Sequence, residues 1–415
     1  MYPDLSYILH ALIGTQPDNW TSIFKTFGLL LVLAILSAAL FLYWELKRKA
    51  DEGVFKADKV KFIEGEAPKL WDVLANGFFG FVIGLKGVYI AQHFSEFQND
   101  PAGVLLSSKG NWAIGLVLGL AFAGFRYWEQ KKQELPKPKT VYKNFFPHDR
   151  IGDVTVVAAL TGILGAKVFA IFEAPETISA FLQNPIGTFF SGSGLAIYGG
   201  LIGGFLGVWW WLRRHNIPFW HFADAVAPAL IISYGVGRLG CQLSGDGDWG
   251  IVAGVQPDWW FLPDTWWSFD YQQNVNNAGV LIEGCDPEKY REAINLGSTE
   301  LRCETACGTR YCHQLDQGVY PTPIYEMIMC AAIGAFLWAI RKRLTVPGML
   351  FAIYLILNGI ERFWIEKIRV NDTLFTLGES NVTQAEFISV ILFLIGVFLL
   401  VYRWKKEGKS GKALT

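Results

Sequence analysis

The sequence predicts an all-α polytopic membrane protein with about nine transmembrane helices and an internal two-helix repeat. The chain has 415 residues, is 52% hydrophobic and contains 17 Trp, with a mean hydropathy of +0.28. A soluble protein of this size would be less apolar. Nine apolar runs approach the length of a bilayer span, and basic clusters follow alternate runs. These observations together indicate a multi-pass membrane protein.

The predicted spans lie at about residues 26–46, 71–92, 111–129, 152–173, 192–212, 222–243, 321–340, 347–365 and 385–403. Lysine and arginine collect in cytoplasmic loops. Five basic clusters follow alternate spans: Lys47-Arg48-Lys49, Lys131-Lys132, Arg213-Arg214, Arg341-Lys342-Arg343 and Arg403-Trp404-Lys405-Lys406. The N-terminus is therefore predicted outside and the C-terminus in the cytoplasm. The absence of a basic stretch before the first apolar run predicts no cleavable signal peptide.

We divide the chain into five segments. They are a first span with its linker, an additional hairpin, a core hairpin with the following helix, an external loop and a three-span C-terminal part, at residues 1–60, 61–146, 147–243, 244–320 and 321–415. The two hairpins form a repeat, because Asp72/Asp153, Gly84/Gly165 and Lys86/Lys167 share one spacing. Parallel repeats occur in transporters, and a duplicated scaffold hairpin is equally natural.

The external loop holds four of the six cysteines, Cys285, Cys303, Cys307 and Cys312. An oxidising compartment favours disulfides, and we expect Cys285 to pair with Cys312 around Cys303–Cys307. Zinc is the alternative, since His313 follows the last cysteine. The cysteine spacings match no common zinc pattern.

The segment YGVGRLGCQLSGDGDWG, Tyr234–Gly250, is the first candidate for chemistry. Arg238 lies near the end of an apolar helix, where an arginine is costly in lipid and calls for an anionic partner or ligand. Glycines after it allow close approach of a backbone. The alternative is a structural arginine paired with an acid.

Three other functions are rejected. A dinucleotide site would need a strand before the GVGRLG stretch, and a bilayer-length helix precedes it instead. The acidic stretch from Asp246 lacks the later ligands of a calcium loop. No basic stripe with interleaved aromatics exists, so nucleic acid is not a predicted partner.

A second charged set lies on a late helix. Arg362, Glu366 and Arg369 share one helical face and lie toward the same predicted membrane side as Arg238. Two arginines near acids can clamp a lipid phosphate. The alternative is an interfacial salt-bridge ladder.

Three further polar residues allow simpler interpretations. Tyr198 is either an interfacial aromatic or a site hydroxyl, and the glycines around it allow close helix packing. Glu326 suits a helix N-terminus without any functional role. Asp224 is expected to cap the N-terminus of its own helix.

Together these residues resemble the prolipoprotein diacylglyceryl transferase family. The family signature G-R-x-G-N-F-x-N-x-E-x-x-G corresponds to Gly237–Gly250, and its R-F-x-x-E-x-x-R to Arg362–Arg369. Its H-G-G, H-P-[ST]-Q-x-Y-E and W-Y-G motifs correspond to Tyr198–Gly200, Tyr320–Glu326 and Thr26–Gly28. The resemblance covers roughly 22–46 and 147–403 except the external loop, so the first hairpin looks like an insertion.

Several family positions carry other residues here. The signature Asn, aromatic and Glu are Cys241, Gln242 and Asp246, the His before Gly-Gly is Tyr198, and two tyrosines are Phe27 and Asn358. The arginines, the late-helix acid and the glycines are kept. We favour a divergent active branch, because Gln242 can supply the lost amide and Tyr198 a hydrogen-bonding group. A relative with altered activity is the alternative.

The resemblance implies transfer of a diacylglyceryl group from phosphatidylglycerol to the lipobox cysteine of a prolipoprotein. The expected location is the bacterial cytoplasmic (inner) membrane with the active site toward the periplasm. The expected partners are the lipid donor, the prolipoprotein signal peptide and membrane lipids, and no metal or soluble cofactor is needed. A lipid transporter, a non-catalytic lipid-binding relative and a membrane scaffold are the alternatives.

The site implied by the resemblance has three kinds of member. Arg238 and Arg362 would hold the phosphate, Glu366 and Asp246 would orient the arginines or bind the glycerol head, and Tyr198 would handle a proton. Cys241 is expected to line the site without acting as a nucleophile. The remaining predicted substrate-binding residues are Gly240, Gln242, Gly245, Gly199, Gly200, Arg369 and Phe27.

Overall fold

The computed structural model describes residues 1–93, 97, 104–105, 107–173, 175–189, 196–285, 288, 311–371, 373–377 and 380–411. The helices of this part of the chain are α1 Leu5–Ile13, α2 Thr26–Asp51, α3 Leu70–Gln92, α4 Trp112–Gln133, α5 Ile151–Glu173, α6 Pro175–Gln183, α7 Pro185–Phe189, α8 Ile197–Arg214, α9 Phe219–Ser244, α10 Thr322–Ile340, α11 Met349–Glu366 and α12 Gln384–Gly411. The strands form three antiparallel ribbons: β1 Asp58–Glu64 with β2 Lys139–Phe145, β3 Val280–Leu281 with β4 His313–Gln314, and β5 Thr373–Leu377 with β6 Ser380–Thr383.

Six helices in the described ranges are long and apolar enough to cross a membrane: Thr26–Asp51, Leu70–Gln92, Pro147–Glu173, Phe219–Ser244, Thr322–Ile340 and Gln384–Lys406. The other three predicted spans also coincide with helices, α4, α8 and α11. Glu361, Arg362 and Glu366 make α11 less apolar than an ordinary span. The chain is thus a mostly helical polytopic membrane protein, as predicted.

Two compact units make up the chain, Met1–Arg48 with Pro218–Thr415 and Lys49–Ile217. In the first unit, α9 packs on α10, α11 packs on α12, and α9 and α10 both contact α11. Ile231, Cys330, Leu337 and Leu350 form a buried apolar cluster among α9, α10 and α11. Apolar burial therefore holds these helices together at the middle of their length, and polar contacts connect them at their ends.

The second unit contains two helix hairpins, α3 with α4 and α5 with α8. In each hairpin, glycines at the repeat positions found in the sequence lie where the two helices contact each other. A Cβ on Gly84 would lie 2.7 Å from the carbonyl oxygen of Ile114, and one on Gly165 would collide with the carbonyl of Gly199. Only glycine allows backbones to approach this closely. The ribbon β1–β2, which the sequence did not predict, pairs the segment before α3 with the segment after α4.

A charged side chain is accommodated inside the first hairpin by backbone groups. The Lys86 ammonium is buried and donates to the carbonyl oxygens of Val104, Ser107 and Lys109 at 2.8, 2.5 and 2.8 Å. Lys167, at the equivalent position of the second hairpin, is buried as well. A buried ammonium is tolerated when its donors are used in this way.

One predicted disulfide is wrong. Cys285 takes part in a disulfide whose partner lies outside the described residues, whereas Cys312 keeps a buried thiol. The carbonyl of Cys312 accepts from the amide of Ile282 at 2.8 Å, so the β3–β4 register sets Cys312 opposite Ile282. The predicted Cys303–Cys307 pairing and the zinc alternative at those two residues lie outside the described residues.

The sequence suggested that Asp224 caps the N-terminus of its own helix, and this expectation is wrong. It lies in the second turn of α9, and its carboxylate accepts from the backbone amides of Gly348 and Phe351 at 2.7 and 2.9 Å. Those amides lie at the start of α11, where backbone donors have no partner within the helix. Asp224 therefore caps a helix that follows it by more than one hundred residues.

We expect Asp224→Ala to destabilise the protein by about 1–3 kcal/mol, because the buried amide of Gly348 and the half-buried amide of Phe351 lose their acceptor. Thermal unfolding followed by tryptophan fluorescence in detergent measures the effect. Asp153→Ala is the matched control, since Asp153 lies exposed in the first turn of α5. Equal melting temperatures for the two variants would contradict the capping role.

Candidate active site

Arg238 lies near the C-terminal end of α9, as the sequence predicted. The helix ends at Gly245, whose φ of 65° is left-handed and whose amide bonds the carbonyl of Cys241. Glycine reaches this conformation without the strain of a Cβ. The stop directs the chain into the loop that begins with Asp246. The Arg238 side chain remains largely buried beside that loop.

Glu326, in the first turns of α10, is the common partner of the arginines. Its fully buried carboxylate lies 2.6 Å from Nε of Arg238 and 2.9 Å from Nη1 of Arg362. Nη1 of Arg369 lies 3.6 Å from the same carboxylate. One acid therefore joins α9, α10 and α11 at the ends where all three approach the external loop.

Asp248 is a second shared acid. One of its carboxylate oxygens contacts Nη1 of Arg238 and the other contacts Nη2 of Arg369. Burial raises the pKa of Asp248, but the two guanidinium groups outweigh burial and hold that pKa below its ordinary value. Asp248 is therefore ionised at neutral pH.

The backbone around Asp248 is fixed to two other helices. Its carbonyl accepts from Oγ1 of Thr322 at 2.7 Å, and the amide of Ile251 donates to the carbonyl of Ile368 at 2.8 Å. Gly250 forms an antiparallel bridge with Arg369. The loop after α9 is thus tied to the start of α10 and the end of α11.

Tyr234 completes the surroundings of Arg238. It lies one helical turn before Arg238, and its hydroxyl accepts from Nε and Nη2 of that arginine at 3.0 and 2.8 Å. The same hydroxyl donates to Glu326 at 3.3 Å. These contacts orient the guanidinium group and leave little freedom to its side chain.

Two glutamates of α11 differ sharply in their environment. Glu366 is buried, lies 3.2 Å from Nη2 of Arg362, and accepts from Thr383 at 2.9 Å and from Asn371. Glu361 is also buried, but neither of its oxygens has a hydrogen-bond partner among the described residues. Arg362 and Glu366 pair on one face of α11, as the salt-bridge alternative required, and Glu326 extends this pairing to other helices. The expectation that Arg369 shares that helical face is wrong, because α11 ends at Glu366 and Arg369 pairs with Gly250 as extended backbone.

Asp246 is the loop acid that the sequence suggested for orienting the arginines or binding the glycerol head. Among the described ion pairs, the arginine partner in this loop is Asp248, two residues later. Burial and the negative charge of Asp248 raise the pKa of Asp246. Oxygens of both acids and Sγ of Cys241 lie within 4.8 Å of one another. Because Asp248 already faces two guanidinium groups, we assign this trio to the arginine cluster and not to a metal.

Four predicted binding residues of the first unit have structural contacts. A Cβ on Gly240 would lie 3.0 Å from Cβ of Leu30 and 3.5 Å from the ring of Phe27, so this glycine allows α9 to approach α2. Gln242 is buried, and its side-chain oxygen accepts from the hydroxyl of Tyr271 at 2.7 Å. Gly245 forms the helix stop described above.

Tyr198, Gly199 and Gly200 belong to the second unit. Tyr198 lies in the first turn of α8, and a Cβ on Gly199 would collide with Phe169 and with the carbonyl of Gly165. Close packing of α5 and α8 accounts for Gly199, whereas a Cβ on Gly200 would make only ordinary contacts with Ala166 and Gly162. These three residues and the arginine cluster therefore belong to different units.

The described fold and cluster define a polytopic membrane protein in which three arginines and three carboxylates meet at one end of the helices. Arginine groups held in this way are suited to binding anions such as phosphate. A model of the prolipoprotein diacylglyceryl transferase family matches residues 111–402. The chain belongs to that family, and the sequence prediction of a membrane-embedded transferase is confirmed.

Named relatives agree with this assignment. The chain is 27% identical over 320 residues to a phosphatidylglycerol--prolipoprotein diacylglyceryl transferase of Dehalococcoides mccartyi, covering 76% of this chain and 98% of the relative. Proteins of the same name from Bifidobacterium adolescentis and Staphylococcus haemolyticus are 31% and 30% identical over 270 and 293 residues. These alignments cover 64% and 70% of this chain, and 69% and 81% of the relatives.

Sequence reasoning missed the central acid and two of its neighbours. Glu326 ends the motif YPTPIYE, and its favourable place at a helix N-terminus concealed its role as an ion-pair partner. Tyr234 precedes Arg238 by four residues, a spacing that places two side chains on one helical face and could have revealed the contact. Asp248 had no comparable local signal.

We expect Glu326→Gln to destabilise the protein by about 3–5 kcal/mol, because it leaves buried guanidinium groups without their shared charge partner. Glu361→Gln is the matched control, since it makes the same change at a buried glutamate without a hydrogen-bond partner in the described structure. Thermal unfolding of both variants in detergent tests the difference. A small effect of Glu326→Gln would contradict its central role.

Proposed function

We propose that this chain transfers the diacylglyceryl group of phosphatidylglycerol to the lipobox cysteine of a prolipoprotein. The single observation that carries the proposal is the cluster in which Glu326 positions Arg238 and Arg362 at one end of the membrane helices. Membership of the transferase family supplies the reaction, and the cluster supplies groups suited to a phosphate.

The reaction forms a carbon–sulfur bond and breaks a carbon–oxygen bond. The acceptor thiol loses its proton and attacks the terminal carbon of the diacylglyceryl group. The bond from that carbon to the phosphate oxygen breaks, and glycerol phosphate leaves with an additional negative charge. Two requirements follow: a thiolate must form, and charge that develops on the leaving phosphate must be stabilised.

Arg238 and Arg362 meet the second requirement in this proposal. The formal positive charges of the three guanidinium groups equal the negative charges of three carboxylates, those of Glu326, Asp248 and Glu366. The cluster therefore offers oriented N–H donors and no large net positive charge. Arg362 is the most exposed of the three arginines, with 24% of its side chain accessible, and is assigned the first contact with the head group. Arg369 is more buried and positions Asp248.

Two residues are candidates for proton transfer. Asp246, whose pKa burial raises, is proposed to accept the thiol proton or to bind the glycerol head. Tyr198 remains a second candidate for proton handling, on the basis of its place in the family pattern. Gly240, Gln242, Gly245 and Phe27 are proposed to shape the substrate site, and the family pattern also assigns Gly199 and Gly200 to substrate binding. The proposal requires no metal or soluble cofactor.

The proposed setting is the bacterial cytoplasmic membrane. Nine helices would cross it, with the N-terminus outside and the basic ends of alternate helices in the cytoplasm. This orientation brings the arginine cluster to the periplasmic side, where a prolipoprotein signal peptide meets phosphatidylglycerol of the outer leaflet. The apolar run lengths and the basic clusters support this arrangement.

The experiment that tests the function combines purified protein, phosphatidylglycerol vesicles and a lipobox peptide. Mass spectrometry of the peptide should show the gain of one diacylglyceryl unit. Replacing the lipobox cysteine by serine should abolish the gain. No gain from a folded protein supplied with several lipids would contradict the proposal and favour a lipid-binding or transport relative.

We expect Arg238→Lys to lower the rate of transfer by about 10²–10³-fold, because lysine keeps the charge and loses the planar donor fork. The retained charge still faces Glu326 and Asp248, so folding should be preserved. Arg238→Ala should abolish transfer.

Arg341→Lys is the matched control. Arg341 also pairs with a buried glutamate, with its Nε 3.0 Å from Glu45, and lies at the opposite end of α10. Its variant should keep normal transfer in the same assay. Full activity of a folded Arg238→Lys protein would contradict the phosphate assignment.

We expect Cys241→Ser to retain transfer within about tenfold, the size of effect that follows loss of one modest hydrogen bond. The thiol lies 3.3 Å from Asp248, and a serine hydroxyl can donate to the same carboxylate. Initial rates from the peptide assay measure the effect. Complete loss of transfer would indicate a covalent role for Cys241.

A further inference from the structure

The loop after the cluster carries an exposed apolar surface. The interface loop, Ile251–Trp267, contains Trp259, Trp260, Phe261, Trp266 and Trp267 and no lysine or arginine. The exposed fractions of Val255, Phe261 and Trp259 are 97%, 86% and 70%. Large apolar side chains this exposed, and this close in sequence, indicate a surface that contacts something other than water.

The interface loop is held rigidly to the start of α10. The hydroxyl of Tyr325 donates to the carbonyl of Trp266 at 2.5 Å. The indole of Trp267 donates to the carbonyl of Gly254 at 2.8 Å, and the amide of Gly254 donates to the hydroxyl of Tyr320 at 3.0 Å. The exposed side chains therefore lie on a fixed support.

A row of aromatic rings extends from this support to the exposed end of the interface loop. Tyr320 and Trp267 have ring centroids 5.4 Å apart, Trp267 and Trp260 5.0 Å, and Trp260 and Trp259 6.1 Å. The row begins beside the helix and ends at a largely exposed indole. Successive contacts of this kind stabilise the arrangement of the rings.

The position of the interface loop fixes its depth relative to the membrane. It starts seven residues after the end of α9. Tyr325, which donates to the carbonyl of Trp266 in this loop, lies in the first turn of α10. Both helices are long and apolar enough to span a bilayer. The loop therefore lies at the level where these two helices leave the membrane, and tryptophan is enriched at this level in membrane proteins.

We propose that the interface loop docks on the lipid leaflet at this end of the helices, with Val255, Trp259 and Phe261 inserted at the boundary of head groups and acyl chains. The ligand is a lipid surface and not a protein, because the loop is continuous with two membrane-spanning helices at interfacial depth. Its only charged residues are the acids Asp258 and Asp264, so anionic head groups are not what it recognises. Insertion is driven by apolar and aromatic burial.

Site-specific fluorescence tests this inference. A cysteine is introduced at Val255 or Phe261, labelled with an environment-sensitive maleimide dye, and the full-length protein is placed in lipid nanodiscs. Cys241, Cys312 and Cys330 are buried, and protein without an added cysteine gives the labelling background. Gln272→Cys is the matched control, since Gln272 is exposed on the same external segment. Nitroxide groups on the upper acyl chain then quench a dye that lies about 5–10 Å below the head groups.

We expect blue-shifted, strongly quenched emission at Val255 and Phe261 and green, unquenched emission at Gln272. The result should be the same in zwitterionic and anionic nanodiscs and at high salt. Emission at Phe261 like that at Gln272 would overturn the inference. Blue-shifted emission without nitroxide quenching would also overturn it, because a protein surface would then cover the loop. The experiment measures dye emission and not catalysis, so its outcome is independent of the proposed transferase activity.

Discussion

The arrangement of the charged helix ends depends on one interaction, the pairing of the Glu326 carboxylate with two arginines. An isolated charge in an apolar interior is expensive, and a buried ion pair is tolerated only when its members satisfy one another. Glu326 satisfies Arg238 from α9 and Arg362 from α11 together. The three helices are therefore held at this end by a polar contact that works only in one relative position, which also orients the arginines for a ligand.

Other contacts of the first unit hold the same helices together at different points along their length. At the other end of α10, Glu45 of α2 pairs with Arg341, and Asp224 of α9 caps α11. Between the two ends, apolar residues such as Ile231 and Leu337 are fully buried. Directional contacts thus set the positions of the helix ends, while non-directional burial supplies most of the packing free energy.

The sequence predicted those features that have a local cause. The span expected at 222–243 forms the helix Phe219–Ser244, because apolar runs are read directly from the chain. Arg238, Arg362 and Glu366 were singled out because a charge in an apolar helix is conspicuous. Partners distant in sequence were missed: Asp224 meets amides 124 and 127 residues later. Asp248, and not Asp246, pairs with the arginines because of the direction that the chain takes after Gly245. The β1–β2 pairing was missed because α3 and α4 separate its two strands in the sequence.

The number of partners at each position also explains which parts of the family pattern this chain has been able to change during evolution. Among the described contacts, Gln242 accepts one side-chain hydrogen bond, from Tyr271, and the thiol of Cys241 lies against Asp248 and Nη1 of Arg238. A change at Gln242 disturbs one described side-chain contact, and a change at Cys241 disturbs its contacts with Asp248 and Arg238. Glu326 contacts three arginines, so its replacement would need several simultaneous changes. The replaced positions Cys241 and Gln242 thus have fewer charged partners than Glu326, the acid that the family pattern and this chain share.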